Sequence, residues 1–377
     1  MGGDGTDGGA RRGGRGRGHR LRVALAAALA VAAAPAAGPA AACTRAVWQG
    51  SSGQVITARS MDFAVDIPTE LWILPRGIAR TGETGANTLT WTAKHGSVVA
   101  SGFGVATTDG VNEAGLAANL LWLTPSRYAP FGPGAKPGLA ISLWAQWVLD
   151  NFATVAEAVE AMRAEPFTLV TDDLPGQPGR LTTVHLSISD ASGDSAVIEY
   201  VDGKQVIHHG RAYRVMTNEP FYDAQLALDA YWKAVGGTAM LPGSSRAADR
   251  FVRASFYVDA LPKDLSPDVA LASMMGVIRN VSTPFGFVTP QSPNNSSTLW
   301  RTLFDHQRKL YLFDSTFAPS AIWVDLRKVD FRPGAGVRKL ALGERQAHGL
   351  SGDVTARFVR AEPFRFQGIA PEAGGSR

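Results

Sequence analysis

The 377 residues are 45% hydrophobic and 19% charged, with 41 glycines and 22 prolines; this composition excludes disordered and fibrous chains and leaves a globular one able to bury a sizeable core. The formal charge of +4 belongs to the first 42 residues, where six arginines face two aspartates; setting these aside from 37 basic and 33 acidic residues leaves 31 of each. A neutral remainder without a basic run excludes nucleic-acid binding, which needs a concentrated positive field.

In chain order, Gly and Arg dominate up to Arg22, an Ala/Leu/Val run covers Val23 to Ala34, and small residues lead to Ala40-Ala41-Ala42. A basic front, an apolar stretch too short to span a bilayer and a small-residue cleavage point predict a secretory signal peptide over 1–42, and hence a periplasmic or secreted protein. Residues 43–377 then form one large domain. Val55 to Phe63 and Glu70 to Leu74 read as strands. Ser97 to Thr107 and Gly115 to Leu123 read as a strand pair around a turn at Asp109-Gly110. Pro125 to Pro137 is rich in Pro and Gly and reads as a surface loop placed to act as a lid. Apolar residues at helical spacing predict helices over Leu139 to Asp150 and Thr154 to Arg163. Strands follow over Thr182 to Ser189, Ser195 to Val201, Gln205 to His208 and Ala212 to Thr217. Helices then cover about Ala224 to Ala234, Ala247 to Asp259 and Pro267 to Arg279. Strands return at Thr298 to Phe304, Lys309 to Phe313 and Ala321 to Asp325. The alternation of strand and helix groups predicts an α+β fold with helices outside a pair of sheets.

Cys43 is the single cysteine. In an exported chain it has no partner for an internal disulfide, and it stands directly after the predicted cleavage point. Three readings of the leader and this residue are open: an acylated lipoprotein anchor, an inert thiol, or a nucleophile. As a first residue, Cys43 would combine a thiol with an α-amine whose ordinary pKa, about 7.7–8, suits a general base at neutral pH. Arg59 could supply the cation that favours the thiolate, and Asp62 the acceptor that orients the amine; an Arg/Asp pair three apart is also a common surface ion pair. Other chemistries lack their signatures. There is no Gly-x-Ser-x-Gly elbow, no His-Glu-x-x-His and no phosphate loop after residue 42. The histidines are scattered, and the adjacent His208 and His209 point to opposite faces of a strand, so no metal site is expected.

Cys43-Thr44-Arg45 followed by Ala58-Arg59-Ser60-Met61-Asp62-Phe63 resembles the choloylglycine hydrolase family of linear amide C–N hydrolases, which includes penicillin V acylases and bile salt hydrolases. Asn112-Glu113-Ala114-Gly115-Leu116, Met216-Thr217-Asn218-Glu219-Pro220, Arg279-Asn280-Val281-Ser282 with Pro284-Phe285-Gly286, and Ser297-Thr298-Leu299-Trp300-Arg301-Thr302 continue the likeness in order. The resemblance implies a four-layer αββα N-terminal-nucleophile (Ntn) hydrolase sandwich. It implies hydrolysis of a small N-acyl amide without metal or cofactor, and the homotetramer frequent in the family. It casts Cys43 as nucleophile flanked by Arg59 and Asp62, Asn218 as part of the oxyanion hole, and Arg301 as a charge stabilising the site from the far strand. Trp122 stands where bile salt hydrolases carry a polar residue. That departure is similar to the exported Gram-negative branch, where penicillin V and acyl-homoserine lactone acylases are found. Phe63, Leu121 and Trp122 are then expected to wall an acyl pocket. Bile-salt or lipid-amide hydrolysis is the alternative activity.

Overall fold

The computed structural model of the chain describes residues 1–2, 43–236, 239–288 and 296–369. The predicted signal peptide therefore lies outside the described residues, apart from Met1 and Gly2.

Two large sheets stack face to face. The first has seven strands in the order Val215–Met216, Thr44–Gln49, Val55–Phe63, Ser297–Asp305, Leu310–Ser315, Ile322–Asp325, Gly352–Asp353. The second has nine, in the order Lys204–His209, Ser195–Val201, Val184–Ser189, Ala117–Trp122, Ala106–Asn112, Ser97–Gly102, Leu71–Leu74, Arg338–Leu340, Val359–Arg360. Helices Ala247–Ala260 and Pro267–Asn280 pack on the first sheet, with Tyr222–Val235 against the former, while Trp144–Asn151 and Val155–Arg163 pack on the second. The architecture is the αββα sandwich. Because each sheet is covered on both faces, its central strands are buried throughout and not alternately. Val55–Phe63 and Ala117–Trp122 have no exposed residue, and both faces of these strands are filled from opposite layers.

Polar side chains cross the seam between the sheets, each with a partner on the other side. Buried Arg45 donates to Ser195 Oγ at 2.9 Å and to the Ile188 carbonyl at 3.0 Å. Asp109 accepts from Thr302 Oγ1 at 3.1 Å and from the Tyr311 hydroxyl. His306 donates from Nδ1 to the Gly115 carbonyl at 2.9 Å, and its Nε2 lies 2.8 Å from Thr57 Oγ1.

The strand and helix expectations hold in most places, with three differences. Asp109-Gly110 is no turn; both residues lie inside the strand Ala106–Asn112. The Gly is there for close packing, since a Cβ would sit 2.7 Å from Val99 Cγ1 and 2.9 Å from the Val98 carbonyl oxygen, and the Asp is the seam acceptor described above. The hairpin turns fall instead at Phe103-Gly104, where both residues take positive φ, and at Glu113–Gly115. The second of these is held by Asn112 Oδ1, which accepts from the main chain of Gly115 and Leu116, both at 3.0 Å. The predicted strand at Ala212 to Thr217 shrinks to Val215–Met216, and the predicted helix from Leu139 begins as a short strand, Gly138–Ala140. Pro125 to Pro137 is indeed a loop, but Tyr128 fastens it by hydrogen bonds of 2.8 Å to both the carbonyl and the N–H of Val184.

Burial holds His306 neutral, with its pKa lowered to about 4. Between that value and the unfolded value near 6.5, the unfolded chain binds a proton that the folded chain refuses. The contribution of His306 is thus complete above about pH 6.5 and is lost as pH falls toward 4, by on the order of 3 kcal/mol. Urea unfolding across this range is expected to show a falling midpoint in the parent protein and a flatter profile in His306→Gln.

Candidate active site

Cys43 sits at the start of the edge-proximal strand Thr44–Gln49, which pairs with Val55–Phe63 in a register that sets Thr44 opposite Ser60 and Arg45 opposite Arg59. This brings Cys43 beside Asp62. The thiol is buried, and its Sγ lies 3.5 Å from the Asp62 N–H, 3.6 Å from the Asp62 carbonyl oxygen, 3.9 Å from Met61 Sδ and 4.0 Å from Arg59 Nη2. Burial pushes the Cys43 pKa up, and the Arg59 guanidinium is the strongest influence drawing it back. Arg59 is itself placed by the Leu120 carbonyl at 3.1 Å and by the face of Trp300, 4.5 Å from its ring centre.

The alternation of Val55–Phe63 divides the site in two. Arg59 and Met61 point between the sheets; Ser60 and Asp62 point toward the helices. The Asp62 carboxylate accepts from Thr298 Oγ1 at 2.6 Å and Ser60 Oγ at 3.3 Å, and lies 3.8 Å from Arg250 Nη1. Burial raises its pKa, and Arg250 opposes that rise more than any other group.

Asn218 follows the short strand Val215–Met216 that borders Thr44–Gln49. Its Oδ1 accepts from Cys43 N at 2.5 Å and from Arg250 Nη2 at 3.0 Å, and its Nδ2 donates to the Trp122 carbonyl at 2.7 Å. The orientation of the amide follows from chemistry: Arg250 can only donate, so the oxygen must face it and the NH₂ must face Trp122. One N–H of Nδ2 is left beyond the bond to Trp122.

A pocket of about 830 Å³, its open mouth included, has Cys43 on its lining. Met61, Phe63, Ile67, Leu120, Trp122 and Ile141 give it an apolar wall. Phe63 meets Trp122 edge to face at 6.1 Å, and the Arg180 guanidinium lies 4.9 Å above the Trp122 ring. Apolar walls around a few convergent polar groups are the usual make-up of a small-molecule site.

The family description "linear amide C-N hydrolases, choloylglycine hydrolase family" matches residues 43–333. The chain belongs to this family. A penicillin V acylase from Pectobacterium atrosepticum is 52% identical over an alignment of 349 positions that covers 87% of this chain and 93% of that protein. The solved structure of a penicillin V acylase from Agrobacterium tumefaciens superposes with a TM-score of 0.81 at 55% identity, covering 87% of this chain and 100% of the other. A bile salt hydrolase/transferase from Clostridium perfringens is 24% identical over 72% of this chain and 89% of its own length. The chain is a linear amide C–N hydrolase with the Ntn-hydrolase fold, and it hydrolyses the amide bond of N-acyl substrates.

Of the residues expected at this family site, Cys43, Arg59, Asp62 and Asn218 converge, and Phe63 and Trp122 line the pocket. Two expectations are corrected. Leu121 faces away from the pocket; strand alternation gives that wall to Leu120 and Trp122, while Leu121 pairs with His185 on the neighbouring strand. Arg301 lies on Ser297–Asp305, the strand on the far side of Val55–Phe63 from that of Cys43, and turns to Ser282 Oγ at 2.8 Å and Asp314 at 3.1 Å. Arg279 bonds the same Asp314 at 2.8 Å, so Arg301 belongs to an ion cluster that reaches Asp62 only through its field. The Asp62 carboxylate also does not orient the nitrogen of Cys43; Asn218 Oδ1 takes that bond, and the Asp62 main chain meets the sulfur.

The residue missed in the sequence is Arg250. It is buried on helix Ala247–Ala260 in line with Ala254 and Val258, and donates from Nη1 to the Cys43 carbonyl at 2.6 Å and to Thr44 Oγ1. An arginine on the apolar stripe of a helix was the available signal, since such a charge needs a partner. Removing one member of a buried pair costs about 3–5 kcal/mol. Arg250→Met is therefore expected to lower unfolding free energy by that order, and Arg250→Met with Asp62→Asn to recover part of it. A denaturant-based double-mutant cycle with no coupling between the two sites would contradict this arrangement.

Proposed function

We propose that Cys43 becomes the first residue of the mature enzyme after residues 1–42 are removed during export, and that its sulfur is the nucleophile for N-acyl amides of the penicillin V and acyl-homoserine lactone type. The observation that carries the reading is the buried Cys43 sulfur on the lining of the apolar pocket, with Arg59 at 4.0 Å and Asn218 on its main-chain nitrogen.

On this reading the acyl group lies against Phe63, Leu120 and Trp122, which suit a phenoxy ring or an alkyl chain. The Cys43 α-amine takes the thiol proton as Sγ attacks the carbonyl carbon. The oxygen that becomes negative is met by the second N–H of Asn218 Nδ2, a contribution worth about 3 kcal/mol of barrier. The ammonium then returns its proton to the departing nitrogen as the C–N bond breaks, leaving a thioester. Water attacks that carbonyl, gives a proton to the same amine, and the carboxylic acid leaves as sulfur recovers its proton. Arg59 offsets the burial of the thiolate, and Arg250 with Asp62 holds the strand start and the Asn218 amide in place. The 52% identity to a penicillin V acylase and the aromatic walls favour an aromatic acyl group over a bile acid. The tetramer frequent in the family is the expected assembly.

N-terminal sequencing of exported protein is expected to begin at Cys43, with no lipid mass on it. Cys43→Ala is expected to abolish release of phenoxyacetate from penicillin V while the protein stays folded; retained turnover would remove the mechanism. Because the base is an α-amine, kcat/KM is expected to rise with pH toward a midpoint near 7.7–8, its ordinary range.

A further inference from the structure

The family match ends at residue 333, yet three residues well beyond it border the pocket: Gln367, Gly368 and Ile369. They form a short strap pinned at several points. Its main chain donates from Gln367 to the Val105 carbonyl at 2.9 Å and from Ile369 to the Glu83 carbonyl at 3.0 Å. Ser142 Oγ donates to the Gln367 carbonyl at 2.6 Å. Gly368 is required by close approach, since a Cβ there would lie 2.1 Å from the Glu83 carbonyl oxygen. Upstream, Phe364 packs on Trp72 at 5.2 Å and Phe366 under Arg80 at 5.4 Å, so the strap leaves from an anchored segment.

The Gln367 side chain carries the chemical argument. Asp172 is the one carboxylate on the pocket lining among the described residues. Gln367 Nε2 donates to its Oδ2 at 3.0 Å and to the Asp173 carbonyl at 2.8 Å. Asp172 Oδ1 accepts from the Asp173 N–H at 2.8 Å; an acyl chain beside the carboxylate would strip water from Oδ2 and leave it without a partner, and Gln367 supplies one. None of the strap's hydrogen-bond partners is a residue bonded to Cys43, so the strap shares the cavity but not the reacting atoms.

We infer that the strap Gln367–Ile369 is a specificity-determining wall of the acyl pocket, limiting the length of acyl group that this enzyme accepts. The inference rests on the reading that this pocket holds the acyl group. It also assigns to the strap the position expected from the sequence for the loop Pro125 to Pro137, none of whose residues lines the pocket.

The test is kcat/KM for straight-chain acyl amides of one amine, from butanoyl to dodecanoyl. The variants are a truncation after Phe366, which keeps the aromatic anchors, Gly368→Val, which has no room against Glu83, and Ile369→Trp, which adds bulk to the rim. Each methylene newly buried is worth roughly fourfold in binding. The truncation and Gly368→Val are expected to raise the dodecanoyl-to-butanoyl ratio by at least about tenfold, a gain of two or more methylenes, and Ile369→Trp to lower it. If every variant alters all chain lengths by one common factor, the strap is a structural brace only and the inference is overturned. Gly368→Val and Ile369→Trp keep the test open should the truncated chain fail to fold. A parent enzyme that turns over penicillin V but none of the straight-chain amides would overturn the inference alone, and one that turns over neither would overturn the reading of the pocket.

Discussion

The site depends on a guanidinium that has no access to water. Arg250 is buried on the inner side of its helix, and burial draws its pKa down, with Asp62 the first group to restore it. Asp62 has the mirror problem, since burial raises its pKa and Arg250 opposes that most. Neither charge is tolerable alone at this depth. Their mutual requirement brings the end of the strand Val55–Phe63 up to the helix layer as an ion pair at 3.8 Å, and the hydrogen-bond donors of Arg250 take the Cys43 carbonyl, Thr44 Oγ1 and Asn218 Oδ1. Three segments far apart in sequence, at Cys43-Thr44, Asp62 and Asn218, are fixed to one another by the charge and the donors of a single side chain, and the residue they surround is Cys43.

Strand alternation explains why an ion pair and an apolar pocket can lie on either side of one sulfur. Residues Arg59 and Met61 of the same strand face the seam between the sheets, with Leu120 and Trp300; Ser60 and Asp62 face the helices. Cys43 meets both halves, touching Met61 and Arg59 with its sulfur and the Asp62 main chain beyond. On the proposed mechanism the dry side would allow an acyl group to shed water, while the charged side sets geometry without entering the pocket. In a low-dielectric pocket an approaching cation has a stronger effect on a thiolate than in water, which gives Arg59 its weight despite the burial that raises the thiol pKa.

Much of this was legible in the chain because the responsible signals are local. Val55 to Phe63, Ser195 to Val201 and the helix from Ala247 show their period or β-branched content within a few residues, and Cys43 declares itself by being alone beside a small-residue tail. What escaped depends on tertiary packing. Asp109-Gly110 carries the strongest short turn signal, yet its glycine answers to Val99 and its aspartate to Tyr311 and Thr302 on the other sheet. Leu121 and Leu120 differ by one residue, and only the register against His185 decides which of them faces the pocket. Arg301 and Arg250 are both arginines on the helix side of the first sheet; which one meets Asp62 is settled by helix placement, and no spacing along the chain encodes it. Asn112 shows the same limit in another way. Its motif reads as part of a family signature, and its side chain spends its donors on the carbonyls of Leu149 and Phe152, at 2.9 and 2.7 Å, tying a hairpin to the end of a helix.

The bond from Cys43 N to Asn218 Oδ1 bears on how such a site could be built before it is active. In the unprocessed chain that nitrogen is an amide: it can donate, and its lone pair is delocalised into the preceding carbonyl. After cleavage the same nitrogen would be an amine, which keeps an N–H for Asn218 and gains a basic lone pair. The acceptor is held by Arg250 and by the bond to Trp122, neither of which involves residues before Cys43. On the proposed mechanism, release of the leader therefore has no geometry to create. It supplies the lone pair in a position already set by the Asn218 oxygen, within reach of a sulfur already set by Asp62 and Arg59. Such a design separates folding, which requires the buried ion pair, from activation, which requires only the loss of one peptide bond.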